Sequence, residues 1–88
     1  MRNKYSVQEY EKIHILVERS ISAGTKAEAK QYFEQLAFLE SDVTGYSRIV
    51  FSELQAAAMA ASGAVRDKDR LTNIARECLL KFQMNCVE

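Results

Sequence analysis

Metal, phosphate and nucleophilic sites usually leave sequence motifs, and this chain lacks the common ones. It contains one histidine, three glycines, and no proline or tryptophan in 88 residues. No H-E-x-x-H, paired CxxC, G-x-G-x-x-G or Walker lysine motif occurs. We therefore expect no metal, no cofactor and no enzymatic activity.

Net charge and long apolar runs are also lacking. Twelve Lys and Arg residues balance twelve Asp and Glu residues, so no overall field attracts the protein to nucleic acid or to an anionic membrane. The longest uncharged run, 54–65, is shorter than the ~20 residues that a membrane-spanning helix requires. The first residues lead into no apolar signal segment. We expect a soluble, cytoplasmic protein without membrane contact.

The two cysteines, Cys78 and Cys86, form neither a disulfide framework nor a metal motif. On one continuous helix their positions are roughly 12 Å apart, which is too far for a disulfide bond. We expect Cys78 in the core as a small apolar residue and Cys86 as a free thiol.

Apolar residues recur every three or four positions through most of the chain, as is typical of amphipathic helices. These stripes and their caps predict four helices, at 6–23, 26–40, 44–63 and 67–86. Two of the helix starts carry an S/T-x-x-E capping box, at 6–9 and 25–28. No segment alternates apolar and polar residues for long enough to predict a strand.

The short connections favour antiparallel neighbours within one domain, residues 1–88. The predicted fold is all-α, a compact antiparallel bundle of four helices. In the alternative, the last two helices fuse into one long helix through Gly63, which leaves three helices. The segment 43–65 is so rich in alanine and larger apolar residues that we predict it to be the buried centre of the bundle.

Two groups of polar residues are candidates for a catalytic or ligand-binding site. His14 lies beside the apolar stripe of the first helix, where a half-buried packing role is expected. A pair of His14 with Cys78 has no third group to orient the imidazole, which argues against a nucleophile. The charged run 66–70 is expected to be a solvated turn in which Asp67 or Asp69 caps the last helix.

One candidate function is a small helical DNA-binding regulator. The turn at 40–45 and the helix after it could serve as a turn and recognition helix, with Ser47, Arg48 and Gln55 facing DNA. That helix is, however, apolar on most sides, and the basic residues are always interspersed with acidic ones. Nucleic acid is therefore the less favoured partner.

We expect instead a small non-catalytic module that binds another protein, as an adaptor, regulator or inhibitor, and that forms a homodimer. Leu80, Met84 and Val87 follow one another at i, i+4 and i+7, opposite the core stripe of the last helix. With Phe38, which falls off the stripe of the second helix, they form the predicted interface. The alternative is that this strip of the last helix belongs to the core.

Overall fold

The computed structural model of the protein describes residues 2–39 and 42–88. Its described residues form four α-helices and no β-strand: α1 (Val7–Ser22), α2 (Lys26–Ala37), α3 (Tyr46–Ala61) and α4 (Lys68–Cys86). The prediction of an all-α four-helix bundle is confirmed. Because α3 and α4 are separate, the alternative with one fused long helix is wrong.

Two helices share the centre of the bundle. Both α1 and α3 contact all three other helices, whereas α2 and α4 do not contact each other in the described part of the chain. The Tyr10 ring stacks on Phe82, and Glu18 pairs with Arg76, so residue numbers run in opposite directions along α1 and α4. The central position predicted for segment 43–65 is thus shared with α1.

Three aromatic rings form the middle of the core. Tyr5, Phe51 and Phe82 are fully buried. Their ring centroids lie 5.2 Å apart for Tyr5 and Phe51, 5.1 Å for Tyr5 and Phe82, and 5.8 Å for the two phenylalanines. Tilted rings at this separation add to the stabilisation from burial. Tyr5 therefore attaches the first residues of the chain to the core.

The backbone of the first residues joins two distant parts of the chain. The Thr44 N–H donates to the Arg2 carbonyl at 2.9 Å. The Tyr5 N–H donates to the Cys86 carbonyl at 2.8 Å, and the Glu88 N–H donates to the Tyr5 carbonyl at 2.9 Å. This segment consequently links the connection before α3 with the end of α4.

The two predicted capping boxes differ in the structure. Ser6 Oγ accepts from the Glu9 N–H at 3.1 Å, and the Glu9 carboxylate accepts from the Ser6 N–H at 2.8 Å, so the first box is confirmed. At α2, Thr25 Oγ1 accepts from the Glu28 N–H at 3.1 Å. The Glu28 carboxylate instead accepts from the Gly24 N–H at 3.0 Å, so only half of the second box forms.

The connection between α2 and α3 departs from the prediction. The predicted end of the second helix, Glu40, lies outside the described residues, as does Ser41. α3 begins after Gly45, whose positive φ of 75° favours glycine. Gly45 is the N-cap residue of α3 and makes no side-chain capping hydrogen bond.

The connection between α3 and α4 is tightly packed at Gly63. This residue has a φ of 72°, and a Cβ atom at its position would lie 2.9 Å from the Lys26 nitrogen. Asp67 is the N-cap residue of α4, with a left-handed φ of 56°, but its side chain makes no capping hydrogen bond. A left-handed turn at each end of this connection keeps α3 and α4 apart as two helices.

Helix α3 is amphipathic rather than buried on most sides. Its buried residues are Ser47, Val50, Phe51, Leu54, Ala58 and Ala61. Ile49 and Met59 are exposed, at 58% and 51%. The predicted burial of segment 43–65 is therefore correct for one side of α3 only.

The prediction holds for one of the two cysteines. Cys86 is fully buried where α4 meets the first residues, and Cys78 is half-buried on the same helix. Both are free thiols. The expectation of a free thiol at Cys86 is confirmed, and the backbone contact with Tyr5 covers it. The expected core position of Cys78 is wrong, because Cys78 is only half-buried.

Candidate functional site

The structure does not assemble a nucleophile from His14 and Cys78. His14 is exposed, not half-buried as predicted, and its ring lies 5.8 Å from that of Tyr10. Burial, and then the negative charge of Glu53, raise the pKa of the Cys78 thiol. A raised thiol pKa disfavours the reactive thiolate. No hydrogen bond joins Cys78 to His14 among the described residues.

Metal ligands do not converge either. Glu11 and His14 have the i, i+3 spacing that metal-binding helices use, a pair that the sequence reasoning overlooked. Within 2–39 and 42–88, however, no group of three or more His, Cys, Asp or Glu side chains could hold a metal ion. Over the same ranges, no helix has the length and apolar character needed to cross a membrane.

The residues predicted to contact DNA are buried or half-buried in the structure. Ser47 is buried with 3% exposure, and Arg48 and Gln55 are half-buried. A recognition helix needs these side chains free to reach base edges in a groove. The geometry of α3 therefore does not support a DNA-reading face at these three positions.

Three of the four predicted interface residues are exposed: Phe38 at 84%, Met84 at 74% and Leu80 at 55%. Val87 differs because α4 ends at Cys86 and the chain becomes extended, which packs Val87 partly against the core. Phe38 follows α2, which does not contact α4 in the described structure. Only Leu80 and Met84 of the predicted set therefore share a helix face.

Further exposed apolar residues lie beside these two on α3. We define the α3–α4 face by its four exposed apolar side chains, Tyr46, Ile49, Leu80 and Met84. The Lys81 ammonium marks where the two helices meet, since it lies 3.4 Å from the Glu53 carboxylate and 5.9 Å from the Tyr46 ring centroid. Helical spacing places Leu80 and Met84 on one side of Lys81, and Ile49 on the same outward side of α3.

The charges of the α3–α4 face compensate each other. The hydrogen bond with Glu53 is the main reason why the pKa of Lys81 is raised. Both side chains of the pair are about half exposed, so the pair itself contributes little to folding stability. Its effect is to leave the middle of an apolar face without net charge.

Tyr46 and Ile49 were missed as surface residues for an identifiable reason. Both are apolar residues of a segment that is apolar on most sides, so the sequence pattern alone groups them with the core. The residue that indicates their exposure is Glu53, which lies one turn after Ile49 on the same side of the helix and is exposed. A charged residue there indicates that positions 46, 49, 53 and 56 face solvent.

Two lysines bind the carboxyl ends of helices. Lys68 Nζ donates to the Ile21 carbonyl at 2.6 Å, to the Gly63 carbonyl at 2.7 Å and to the Ala61 carbonyl. Lys26 Nζ donates to the Met59 carbonyl at 2.8 Å. The prediction of a purely solvated charged turn at 66–70 is therefore wrong for Lys68, which caps α1 and α3 together.

The α3–α4 face is the main concentration of accessible apolar side chains. It holds four of the nine large apolar side chains that the described residues expose. Comparison of the chain with protein-family models, with curated proteins and with solved structures found no match.

Proposed function

We propose that this protein is a non-catalytic protein-binding module and that it binds a second copy of itself through the α3–α4 face. The observation that carries the proposal is the grouping of Tyr46, Ile49, Leu80 and Met84 around a neutral ion pair. In the resulting homodimer, the remaining surface is available to a further protein, for which the dimer acts as an adaptor, regulator or inhibitor. The free thiols of Cys78 and Cys86 suit the reducing cytoplasm as its place of action.

Exposed apolar side chains that lie together favour association. Leu80 and Met84 are one turn apart on α4, and Tyr46 and Ile49 are nearly one turn apart on α3. Removing such side chains from water stabilises a complex by roughly 25 cal/mol for each Å² of apolar surface that is buried. Tyrosine and methionine are also enriched in the buried centre of protein interfaces.

The charges favour a second copy as the occupant. The chain has no net charge, so two copies do not repel each other at long range. Glu77 and Lys81 lie one turn apart on α4 and carry opposite charges. If two α4 helices pack antiparallel about a two-fold axis at the level between these residues, each Glu77 faces Lys81 of the second copy. Leu80 lies close to that axis, so its two copies meet there.

The available surface is large enough for this contact. α4 has 19 residues and α3 has 16, which corresponds to lengths of about 28 and 24 Å. Two adjacent helices present a face about 20 Å wide. These dimensions give roughly 500 Å² for each copy, which reaches the lower bound of about 1,000 Å² in total for a specific interface.

Charge substitutions on the face test the proposal. Leu80→Glu and Met84→Glu should each weaken self-association by about 2 kcal/mol or more, because each places an unpaired carboxylate in the contact. The matched control is Ile15→Glu on α1, where the original side chain is 50% exposed. Light scattering after size exclusion should give a lower mass for the two α4 variants only. Equal masses for all three variants would contradict the proposal.

A charge exchange provides a second test that does not depend on apolar residues. Lys81→Glu should weaken the dimer, because it places like charges opposite each other across the two-fold axis. Adding Glu77→Lys to that variant should restore the dimer by exchanging the two signs. The face is not the dimer contact if neither change alters the mass while circular dichroism shows a folded protein.

A further inference from the structure

An accessible cleft lies between α2 and the end of α3. It has a volume of about 540 Å³ and is lined by Lys26, Lys30, Phe33, Met59, Ala60 and Ser62. Because α2 does not contact α4 in the described structure, this cleft is separate from the α3–α4 face. It is therefore accessible whether or not the protein is a dimer.

The floor of the cleft is apolar and open to solvent. Phe33 is half-buried against the core, Met59 is 51% exposed, and Ala60 beside it is exposed. A flat aromatic ring beside a flexible thioether accommodates apolar side chains of different shapes. The floor suits one or two apolar side chains of a ligand that lies across the cleft, since an open-sided site leaves the rest of the ligand in contact with water.

The rim of the cleft is cationic. Lys26 and Lys30 are one turn apart on α2, and like charges at this spacing repel each other. In the described part of the chain, the Lys26 ammonium donates to three neutral acceptors, the carbonyls of Met59 and Ser62 and the hydroxyl of Ser62. No ion pair to Lys30 occurs among the described residues, and no acidic side chain lines the cleft. A carboxylate placed between the two ammonium groups would relieve their repulsion.

We infer that this cleft binds a short segment of a partner protein in which an acidic residue adjoins a large apolar residue. The apolar side chain would lie on Phe33 and Met59, and the carboxylate would accept a hydrogen bond from Lys30. Lys26, whose three donors bind Met59 and Ser62, would attract the carboxylate through its charge alone. Two lysines on a chain without net charge are too few for a nucleic-acid backbone. A fatty acid would leave much of its acyl chain in water in so open a cleft, so a peptide is the better occupant.

Backbone amide NMR spectra of the isotope-labelled protein provide the test. The probe is an acetylated and amidated tetrapeptide in which leucine and phenylalanine are flanked by glutamates. Its control replaces both glutamates with glutamines. The glutamate peptide should shift the signals of the cleft residues, and the shifts should weaken as salt is added. The glutamine peptide should bind at least several-fold more weakly.

Variants of exposed lysines give the matched comparison. Lys30→Glu should weaken peptide binding about tenfold or more, the effect of losing one charge-assisted hydrogen bond and adding repulsion. Lys4→Glu changes the net charge equally but lies outside the cleft, so it should leave binding unchanged. Four results would overturn the inference: no shifts at millimolar peptide, shifts confined to other residues, equal binding of both peptides, or binding of dodecanoate without binding of the peptide.

Discussion

At the scale of residues, the carboxylate of Glu9 joins three parts of the chain. It accepts from the Ser6 N–H at 2.8 Å and from Arg2 Nη1 at 2.6 Å. Arg2 also pairs with Asp42 before α3, at 2.7 Å. The hydrogen bond from Arg2 is the main cause that lowers the pKa of Glu9 from 4.5 to about 2, and the bonds from Ser6 lower it further.

We predict that Glu9→Gln reduces the free energy of unfolding by about 1–2 kcal/mol near neutral pH. Because the pKa of Glu9 is lower in the folded state, its stabilisation is complete above the ordinary value of 4.5 and is lost as pH falls toward 2. The difference between the wild-type protein and the variant should therefore shrink over this window. Urea unfolding at several pH values measures it, with Glu11→Gln on the exposed side of α1 as control. A difference independent of pH would contradict this role.

Gly63 is a residue at which backbone conformation and packing coincide. We predict that Gly63→Ala lowers the free energy of unfolding by about 2 kcal/mol or more, because φ is 72° and the new Cβ would lie 2.9 Å from the Lys26 nitrogen. Gly24→Ala is the matched control, since its Cβ would contact only the Glu28 carboxylate, at 3.5 Å. Thermal unfolding compares the two variants, and equal midpoints would show that the connection can adjust.

At the scale of elements, Lys68 holds two helix ends in one place. Its three donors bind carbonyls of Ile21 at the end of α1 and of Ala61 and Gly63 at the end of α3. A cation at the carboxyl end of a helix also interacts favourably with the helix dipole. The first residue of α4 thus fixes the positions of α1 and α3 at this end of the bundle.

We predict that Lys68→Met lowers the free energy of unfolding by about 2–3 kcal/mol, since it removes the donor from three partly buried carbonyls while keeping an apolar stem. Lys30→Met is the control, because Lys30 is exposed and makes no such bonds. Urea unfolding should separate the two variants clearly. If they unfold at the same urea concentration, water replaces the lysine without loss and the capping role is wrong.

The elements were predictable where their determinants are local. The capping box at Ser6 and Glu9 involves neighbouring residues, and the four helices follow from apolar spacing. The bonds of Lys68 were not predictable, because Ile21 is distant in sequence and only the folded bundle brings it near. The contact that covers Cys86 was not predictable for the same reason, since it depends on Tyr5 at the other end of the chain.

At the scale of the whole molecule, the candidate site was predictable in part. Leu80 and Met84 could be placed on an outer face because α4 has a clear core stripe. Tyr46 and Ile49 were harder to place, because α3 carries apolar residues on several sides and its core side contains small residues such as Ser47 and Ala58. Only the charge of Glu53 indicates their side of the helix. Val87 was assigned to this face by continuing the helical period of α4 beyond Cys86. The helix ends at Cys86, so the period does not apply to Val87.

The mass of the native chain in solution is the most direct test of self-association through the α3–α4 face. Sedimentation equilibrium over a range of micromolar concentrations should show a mass that rises from the 10.0 kDa of one chain to twice that value and then stays constant, as for a closed two-fold dimer. The Met84→Glu variant should remain at 10.0 kDa over the same range. A wild-type mass of one chain at every concentration, or one that rises without limit, would contradict the account.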